Sequence, residues 1–171
     1  MDKISSIIKA LISEGYIPKD GRFEITENLL RAYFITYDYL FSVGIGTRTS
    51  SNTKLARRLA GLNLLRENIK RGTKANEIKA GHIYLISNPA FPLHYKIGAS
   101  YDVEKRLAQY QTYSPYRDFK IEKYDFVIDK FKTESILLNH ALIDRASGEW
   151  VSKENAIAIF DDLSRIHTSS Y

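Results

Sequence analysis

The hydrophobic and polar positions in the first half of the chain repeat with the period of an α-helix. Apolar residues at helical spacing predict one helix over residues 2–14, which ends at Gly15. They predict a second helix that begins at the capping residue Thr26 and ends at Gly44. A third helix follows, with Gly61 inside it as a place where the helix could break. We therefore expect the first half to be all-helical.

Near Gly81 the pattern changes to short runs of β-type residues. Residues 82–86 and 94–98 are such runs, separated by a segment with two prolines, and they predict a hairpin with a long loop. Residues 119–128 predict a third strand. The alternation within that strand slips near Lys123, which is typical of a β-bulge.

Three further helices are predicted between and after these strands. Asp102 caps the first, Thr133 caps the second and Ser152 caps the third. The order in the second half is then strand, strand, helix, strand, helix, helix. We predict an α+β fold with a helical region over residues 1–78, and a small antiparallel sheet of about three strands, flanked by helices, over residues 79–171.

Composition narrows the class of protein. The chain has 171 residues, of which 44% are apolar and 26% charged, so it can bury a core and is unlike a disordered chain. It has no cysteine, which excludes disulfides and cysteine-ligated zinc. No apolar run is long enough to span a bilayer, and the charged first fifteen residues argue against a signal peptide. We expect a soluble, cytoplasmic protein with no membrane partner.

The positive charge is concentrated in the first half. The net charge is +5, and residues 79–171 contribute none of it, since they hold 12 basic and 12 acidic residues. Residues 43–79 hold nine basic residues against two acidic ones, next to a loop rich in glycine and hydroxyl residues. Such a run is usually a solvated helix face, but its single sign favours nucleic acid as a partner. The predicted DNA contacts are Arg48, Lys54, Arg57, Arg58, Lys70 and Arg71.

Four polar residues in the second half are candidates for chemistry. Tyr84 and Lys96 lie on the two strands of the predicted hairpin, so the hairpin can bring both side chains to one face. Arg106 lies on the next helix, and Glu134 lies in the first turn of the helix that Thr133 is predicted to cap. Each residue taken singly has an ordinary structural role, such as a half-buried strand aromatic or a carboxylate at a helix N-terminus.

The order and spacing of these residues resemble the GIY-YIG nucleases. The dipeptide IY (83–84) stands at the end of the family's first motif, and the tripeptide KIG (96–98) stands at the second. Arg106 follows at the family's spacing, and Glu134 comes on the helix after the third strand. The resemblance is carried by the set in order, since two short apolar motifs alone would be weak.

Two further segments resemble the phage-type subfamily, which also has lysine in place of the second motif's tyrosine. They are TYSPYRDFK (112–120) and GEW (148–150). The resemblance covers about residues 79–165 and does not extend to the helical half.

The resemblance implies a metal-dependent endonuclease acting on double-stranded DNA. Glu134 would hold one Mg²⁺ or Mn²⁺ per active site, because Mg²⁺ is often bound by one or two carboxylates, waters and substrate phosphate. Arg106 would bind the scissile phosphate through its planar, permanently charged fork. Tyr84 would act as general base, with the Lys96 ammonium and the metal lowering the pKa of its phenol from about 10.

Several alternatives stay open at this point. The biological use could be homing-type cleavage, restriction or attack by a phage on host DNA. A double-strand cut by one site per chain would need a homodimer on DNA or sequential nicking. The main rival is a catalytically inactive DNA-binding or regulatory protein with the same fold, and a helical half that binds protein or RNA is a third reading. The target sequence is not readable from these residues.

Overall fold

The computed structural model describes most of the chain. The described residues are 3–43, 53–140, 145–147 and 149–168. The predicted helix end at Gly44 and the predicted DNA contact Arg48 lie outside them. The chain divides into two compact units, Met1–Ile78 and Lys79–Tyr171.

The described residues of the first unit form three helices. They are α1 (Lys3–Ser13), α2 (Glu27–Ser42) and α3 (Thr53–Lys70), followed by a 3₁₀ turn at Ala75–Glu77. The Thr26 hydroxyl accepts a hydrogen bond from the Leu29 amide at 3.1 Å, which confirms the predicted cap of α2. The helix α3 runs through Gly61 without a break. The buried core of this unit includes Ile7, Leu11, Leu30 and Leu64.

Between residue 79 and residue 168, the described parts of the second unit form an antiparallel sheet and three helices. In chain order the elements are β1 (Gly81–Ser87), β2 (His94–Ser100), α4 (Val103–Gln111), β3 (Lys120–Val127), α5 (Lys130–Leu138), β4 (Arg145–Ser147), β5 (Trp150–Ser152) and α6 (Lys153–Thr168). The strand order is β3-β1-β2-β5-β4, and every neighbouring pair is antiparallel. The predicted α+β class, with helices first and a sheet flanked by helices second, is confirmed.

Side-chain alternation along β1 gives the sheet two buried faces. Ile83 and Leu85 belong to the larger core cluster, together with residues of α5 and α6 such as Leu137 and Phe160. Tyr84 and Ile86 point the other way, into a smaller cluster that residues of α4 complete. The face covered by α4 carries a buried tyrosine in place of a purely aliphatic layer.

The sheet has five strands where about three were predicted. The additional strands, β4 and β5, are three residues long each, which is too short to give a readable alternation in the sequence. The predicted bulge is confirmed, since Leu85 pairs with Lys123 and Ile86 pairs with Ile121, which leaves Glu122 as the extra residue.

The predicted start of α5 is wrong. The helix begins at Lys130, and the Asp129 carboxylate caps it by accepting a hydrogen bond from the Lys132 amide at 3.0 Å. Thr133 is buried inside the helix, so Glu134 lies in its second turn. Asp129 occupies a cap position four residues before Thr133, and its extended backbone lets its side chain accept from an amide of the first turn.

The other two predicted caps stand at helix starts. The Asp102 carboxylate accepts from the Lys105 amide at 3.0 Å, which confirms it as the cap of α4. The helix α6 begins directly after Ser152. No helix in the described parts of the chain has the length and apolar character needed to cross a membrane.

Candidate active site

Tyr84 lies on β1 beneath α4 and is the deepest of the candidate residues. Its side chain is buried, and its cross-strand partner on β2 is Gly98. The Tyr84 hydroxyl is 3.4 Å from the hydroxyl of Tyr110 on α4, and the two rings meet edge to face with centroids 6.5 Å apart. The contact between the Tyr84 and Tyr110 hydroxyls thus connects β1 to α4.

Lys96 lies two residues before Gly98 on β2, and therefore on the same face of the sheet. Its ammonium nitrogen is 3.2 Å from Oε2 of Glu149 and 5.4 Å from the centre of the Tyr110 ring. Burial lowers the pKa of Lys96, but Tyr110 and Glu149 raise it by more, so the pKa lies above its usual value. Lys96 is therefore a cation at neutral pH, held between a phenol and a carboxylate.

Tyr84 is not activated in the way the sequence suggested. Burial raises the pKa of Tyr84 well above its usual value, the hydrogen bond with Tyr110 raises it further, and Arg106 opposes this only in part. The prediction that Lys96 lowers the pKa of Tyr84 is wrong, because the lysine faces Tyr110 and Glu149. At neutral pH Tyr84 keeps its proton.

Arg106 and Glu134 complete the group from two different helices. Arg106 is exposed on α4, four residues before Tyr110, and its charge acts on both Tyr84 and Glu134. Glu134 on α5 is half-buried, and burial raises the pKa of its carboxyl. The neighbouring Glu149 raises it further, while Lys96 and Arg106 lower it. The structure thus brings all four predicted residues into one electrostatic group.

Two members of this group were missed as site residues. Tyr110 lies one helical turn after Arg106, and that i, i+4 spacing was the available signal. Glu149 is the middle residue of the GEW segment, which was noted as a motif without a role. The short strand β5 sets the position of Glu149, since Trp150 pairs with Lys96 and the Glu149 carbonyl accepts from the Ile97 amide at 3.1 Å.

The donor set fits a divalent cation bound by few protein ligands. Among the described residues, no three histidine, aspartate or glutamate side chains come together as a ready-made cage. Glu134 offers hard oxygens in a half-buried place where its negative charge is costly, as its raised pKa shows. Glu149 is already paired with Lys96. One carboxylate, supplemented by water and substrate oxygens, is a coordination that Mg²⁺ accepts.

Two of the predicted DNA contacts have partners inside the helical unit. Arg57 is only 1% exposed, and its two terminal nitrogens donate to the Glu27 carboxylate at 2.6 and 2.7 Å. Arg71 donates to the Glu67 carboxylate at 3.0 Å and to the Pro18 carbonyl at 2.7 Å. Both guanidinium groups connect parts of the helical unit, so the predicted phosphate contacts of Arg57 and Arg71 are corrected to structural roles.

The other predicted DNA contacts differ in how far the structure describes them. Lys70 is exposed at the last residue of α3, as a phosphate contact requires. Arg58 is half-buried. The side chain of Lys54 and the whole of Arg48 lie outside the described residues.

Comparison with known proteins supports part of this picture and corrects another part. No curated protein and no solved structure matches the chain. The family model that matches is that of the T5orf172 domain, over residues 81–158. It is a nuclease-like domain, but a different family from GIY-YIG, so the predicted family is wrong. T5orf172 domains occur in phage and bacterial proteins, often as nuclease-like or DNA-binding domains, and the sheet unit is similar to them over somewhat less than half of the chain.

Proposed function

We propose that the sheet unit is a metal-dependent DNA endonuclease that hydrolyses phosphodiester bonds. The observation that carries the proposal is the convergence of two cations, two carboxylates and two phenols in one electrostatic group of the sheet unit. They are Lys96, Arg106, Glu134, Glu149, Tyr84 and Tyr110. A catalytic site for phosphate esters needs this combination, because it must bind an anion, hold a cation and move a proton.

Arg106 is the phosphate-binding group in this proposal. It is exposed, so its guanidinium is accessible to a DNA strand. A guanidinium fork binds two phosphate oxygens at once. Arg106 therefore orients the scissile phosphate towards the other members of this group.

In this proposal one of the paired phenols first releases its proton to solvent, and the resulting phenolate takes the proton of the attacking water. We assign this role to Tyr84 and Tyr110 together, because their hydroxyls share a hydrogen bond and the Lys96 ammonium faces Tyr110. The fixed cation stabilises the negative charge of that phenolate until it takes the proton and becomes neutral. Glu149 holds Lys96 in place at 3.2 Å.

Glu134 is the residue that would hold the divalent cation. When bound, such an ion supplies positive charge for the oxygen that leaves the phosphorus. The half-buried position of Glu134 and the raised pKa of its carboxyl support this assignment, because a nearby cation would stabilise the ionised form.

The exposed cations of the helical unit are proposed to bind the DNA backbone. Arg66, Lys70 and Lys74 lie on or after the second half of α3 and are exposed. Contacts of this kind give sequence-independent affinity that falls with salt. The helical unit then contributes affinity, and the sheet unit contributes the chemistry.

Plasmid cleavage tests the proposal. Supercoiled plasmid is incubated with the protein and Mg²⁺, with and without EDTA, and nicked and linear products are followed on a gel. We expect cleavage that EDTA stops and that Glu134→Gln lowers at least about a hundredfold. The matched control is Glu154→Gln, an exposed acid in the first turn of α6, which should cleave like wild type. Equal, EDTA-sensitive cleavage by the two variants would remove Glu134 from the site.

A DNA-binding domain without catalysis is the second candidate. The burial of Tyr84 and its strongly raised pKa favour it, because a phenol that keeps its proton is a poor base. Under this alternative the protein retards DNA on a gel but leaves the plasmid intact with Mg²⁺ or Mn²⁺.

A further inference from the structure

The loop after α4 presents two aromatic rings to solvent. Tyr113 and Tyr116 are 82% and 84% exposed, which makes them the most exposed large apolar side chains of the described residues. Exposed tyrosines scattered singly need no explanation, but two so highly exposed rings within four residues of one loop call for one. Both belong to the TYSPYRDFK segment, to which the proposed chemistry gives no role.

Polar contacts hold this loop in one conformation. The Ser114 hydroxyl donates to the Asp118 carboxylate at 2.7 Å and accepts from the Tyr116 amide at 3.3 Å. The Asn88 amide donates to the same Asp118 oxygen at 2.9 Å from the loop between β1 and β2. An aromatic ring on a loop held in this way loses little conformational freedom when it binds a planar ligand.

The base of the loop is pinned as well. The Gln111 side chain donates to the Phe119 carbonyl at 2.8 Å and accepts from the Phe119 amide at 3.0 Å. The Phe119 ring packs against the Tyr110 ring with centroids 5.4 Å apart, and the Tyr113 amide donates to the Tyr110 carbonyl at 2.9 Å. The loop is therefore continuous with the helix that carries Arg106.

The charges on the loop indicate which kind of ligand with planar groups could bind to the two rings. Asp118 is the only acidic residue in 112–120, and its carboxylate is occupied by Ser114 and Asn88. Arg117 and Lys120 are exposed. Arg117 has a backbone φ of 48°, a left-handed conformation that non-glycine residues rarely adopt. Residues 112–120 thus expose two rings and two cations, of which Lys120 also lies 4.0 Å from Glu122, while their one anion is hydrogen-bonded within the unit.

We propose that Tyr113 and Tyr116 form a stacking platform for unpaired bases of the DNA strand at the candidate site. The rings stack on the bases, and Arg117 contacts the adjacent phosphate. Bases in an intact duplex already stack on one another, so the platform favours DNA that has a single-stranded stretch beside the cleavage point. This inference rests on the proposed endonuclease function and adds a preference among its substrates.

Binding measurements with two DNA substrates test the platform. The protein is titrated in EDTA, so that the DNA stays intact, against a paired duplex and against the same duplex with a central stretch of unpaired nucleotides containing 2-aminopurine. The double variant Tyr113→Leu/Tyr116→Leu removes the rings and keeps apolar bulk. Tyr113→Phe/Tyr116→Phe keeps the rings. Phe131→Leu, another exposed aromatic of the same unit, is the matched control.

We expect the double leucine variant to bind the interrupted duplex about tenfold or more weakly and to lose its effect on 2-aminopurine fluorescence. Its affinity for the paired duplex should change less than about twofold, and the phenylalanine and Phe131→Leu variants should bind like wild type. Equal losses on both substrates, or no loss on either, would overturn the platform. Binding of neither DNA by the wild-type protein would overturn it too, and would favour a protein partner for the exposed rings.

Failure of the platform and failure of the proposed function have different signatures. If wild type prefers the interrupted duplex in the tyrosine-dependent way described but cleaves neither substrate with Mg²⁺, the endonuclease is wrong and the platform stands. If the leucine variant binds and cleaves both substrates like wild type, the platform is wrong and the endonuclease stands.

Discussion

The ring of Tyr84 lies directly across the bare backbone of Gly98, its partner on the neighbouring strand. A methyl group at position 98 would come within 2.3 Å of both the Tyr84 hydroxyl oxygen and the ring carbon that carries it. No real Cβ approaches a side chain that closely, so glycine at this position is what allows Tyr84 to reach Tyr110. The absence of a side chain at Gly98 leaves the space that the Tyr84 ring occupies.

Gly98→Ala should therefore displace the Tyr84 ring. Overpacking of this kind costs about 1–3 kcal/mol of unfolding free energy, and the lost phenol pair should also lower cleavage. The double variant Gly98→Ala/Tyr84→Leu makes room for the methyl group and should recover part of the stability without recovering activity. Urea unfolding and plasmid nicking measure the two effects. A Gly98→Ala protein as stable as wild type would contradict the close contact.

Lys96 and Glu149 should be coupled as a pair. Because both groups are partly exposed, we expect a coupling of about 0.5–1 kcal/mol in a double-mutant cycle of Lys96→Met and Glu149→Gln. The pKa of Lys96 is raised, so the stability that its charge contributes is present below 10.5 and is lost only as the pH rises through the folded value. The coupling should thus be constant from pH 6 to about 9. Additive single effects on stability would contradict the pairing.

Glu134 should destabilise the fold at neutral pH. Its pKa is raised, so the protonated form is favoured on folding, and that advantage is lost as the pH rises from about 4.5 through the folded value. Glu134→Gln should melt at a higher temperature than wild type at pH 7, and the difference should shrink towards pH 4. Thermal unfolding from pH 4 to pH 8 measures this. A variant that melts lower at pH 7 would contradict the burial argument, whereas lost cleavage with raised stability would fit a site built at the expense of the fold.

The Arg57–Glu27 pair should stabilise the helical unit. Glu27→Gln removes the carboxylate charge that the buried Arg57 guanidinium contacts at 2.6 Å, and because Glu27 itself is partly exposed we expect a loss of about 2–3 kcal/mol in unfolding free energy. Glu24→Gln, an exposed acid just before α2, should change stability little. Equal stability of the two variants would show that the pair contributes nothing. If Arg57→Ala loses DNA binding, its unfolding free energy must be measured as well, because loss of the folded helical unit would also abolish binding.

The salt dependence of DNA binding should be set by the exposed cations of α3. Replacing Arg66 and Lys70 by glutamine should lower the slope of log affinity against log salt by up to about 2, since each phosphate contact contributes about 0.9. Lys9→Gln/Lys19→Gln removes the same charge from exposed positions elsewhere in the helical unit and should leave the slope nearly unchanged. If the two double variants had the same slope of log affinity against log salt, Arg66 and Lys70 would contribute only general positive charge and would make no phosphate contacts.

Most elements were predictable because their signals are local. Apolar spacing, glycine stops and the caps at Thr26 and Asp102 act within a few residues, and the slipped alternation near Lys123 marked a real bulge. The strands β4 and β5 and the true start of α5 were not predictable. Three-residue strands form only because a neighbouring strand edge is there to pair with. Asp129 and Thr133 are both residue types that cap helices, and the sequence alone does not show which of them begins α5.

The candidate site shows the same division between local and distant information. The sequence by itself indicated Tyr84, Lys96, Arg106 and Glu134 as a set of candidates, through residue type and order, and the structure brings the four into one electrostatic group. Only the tertiary structure decided their partners: it turned Lys96 towards Glu149 and buried Tyr84 so that its pKa rises instead of falling.

The charges of the helical unit make the physical reason plain. Residue type and spacing mark Arg57 and Lys70 as equivalent cations on one helix, yet Arg57 is buried against Glu27, thirty positions away, and Lys70 is exposed to solvent. Whether a charge is available to a ligand depends on what the fold places opposite it and on how much water remains around it. Neither quantity is local in sequence, so both are fixed only when the chain has packed.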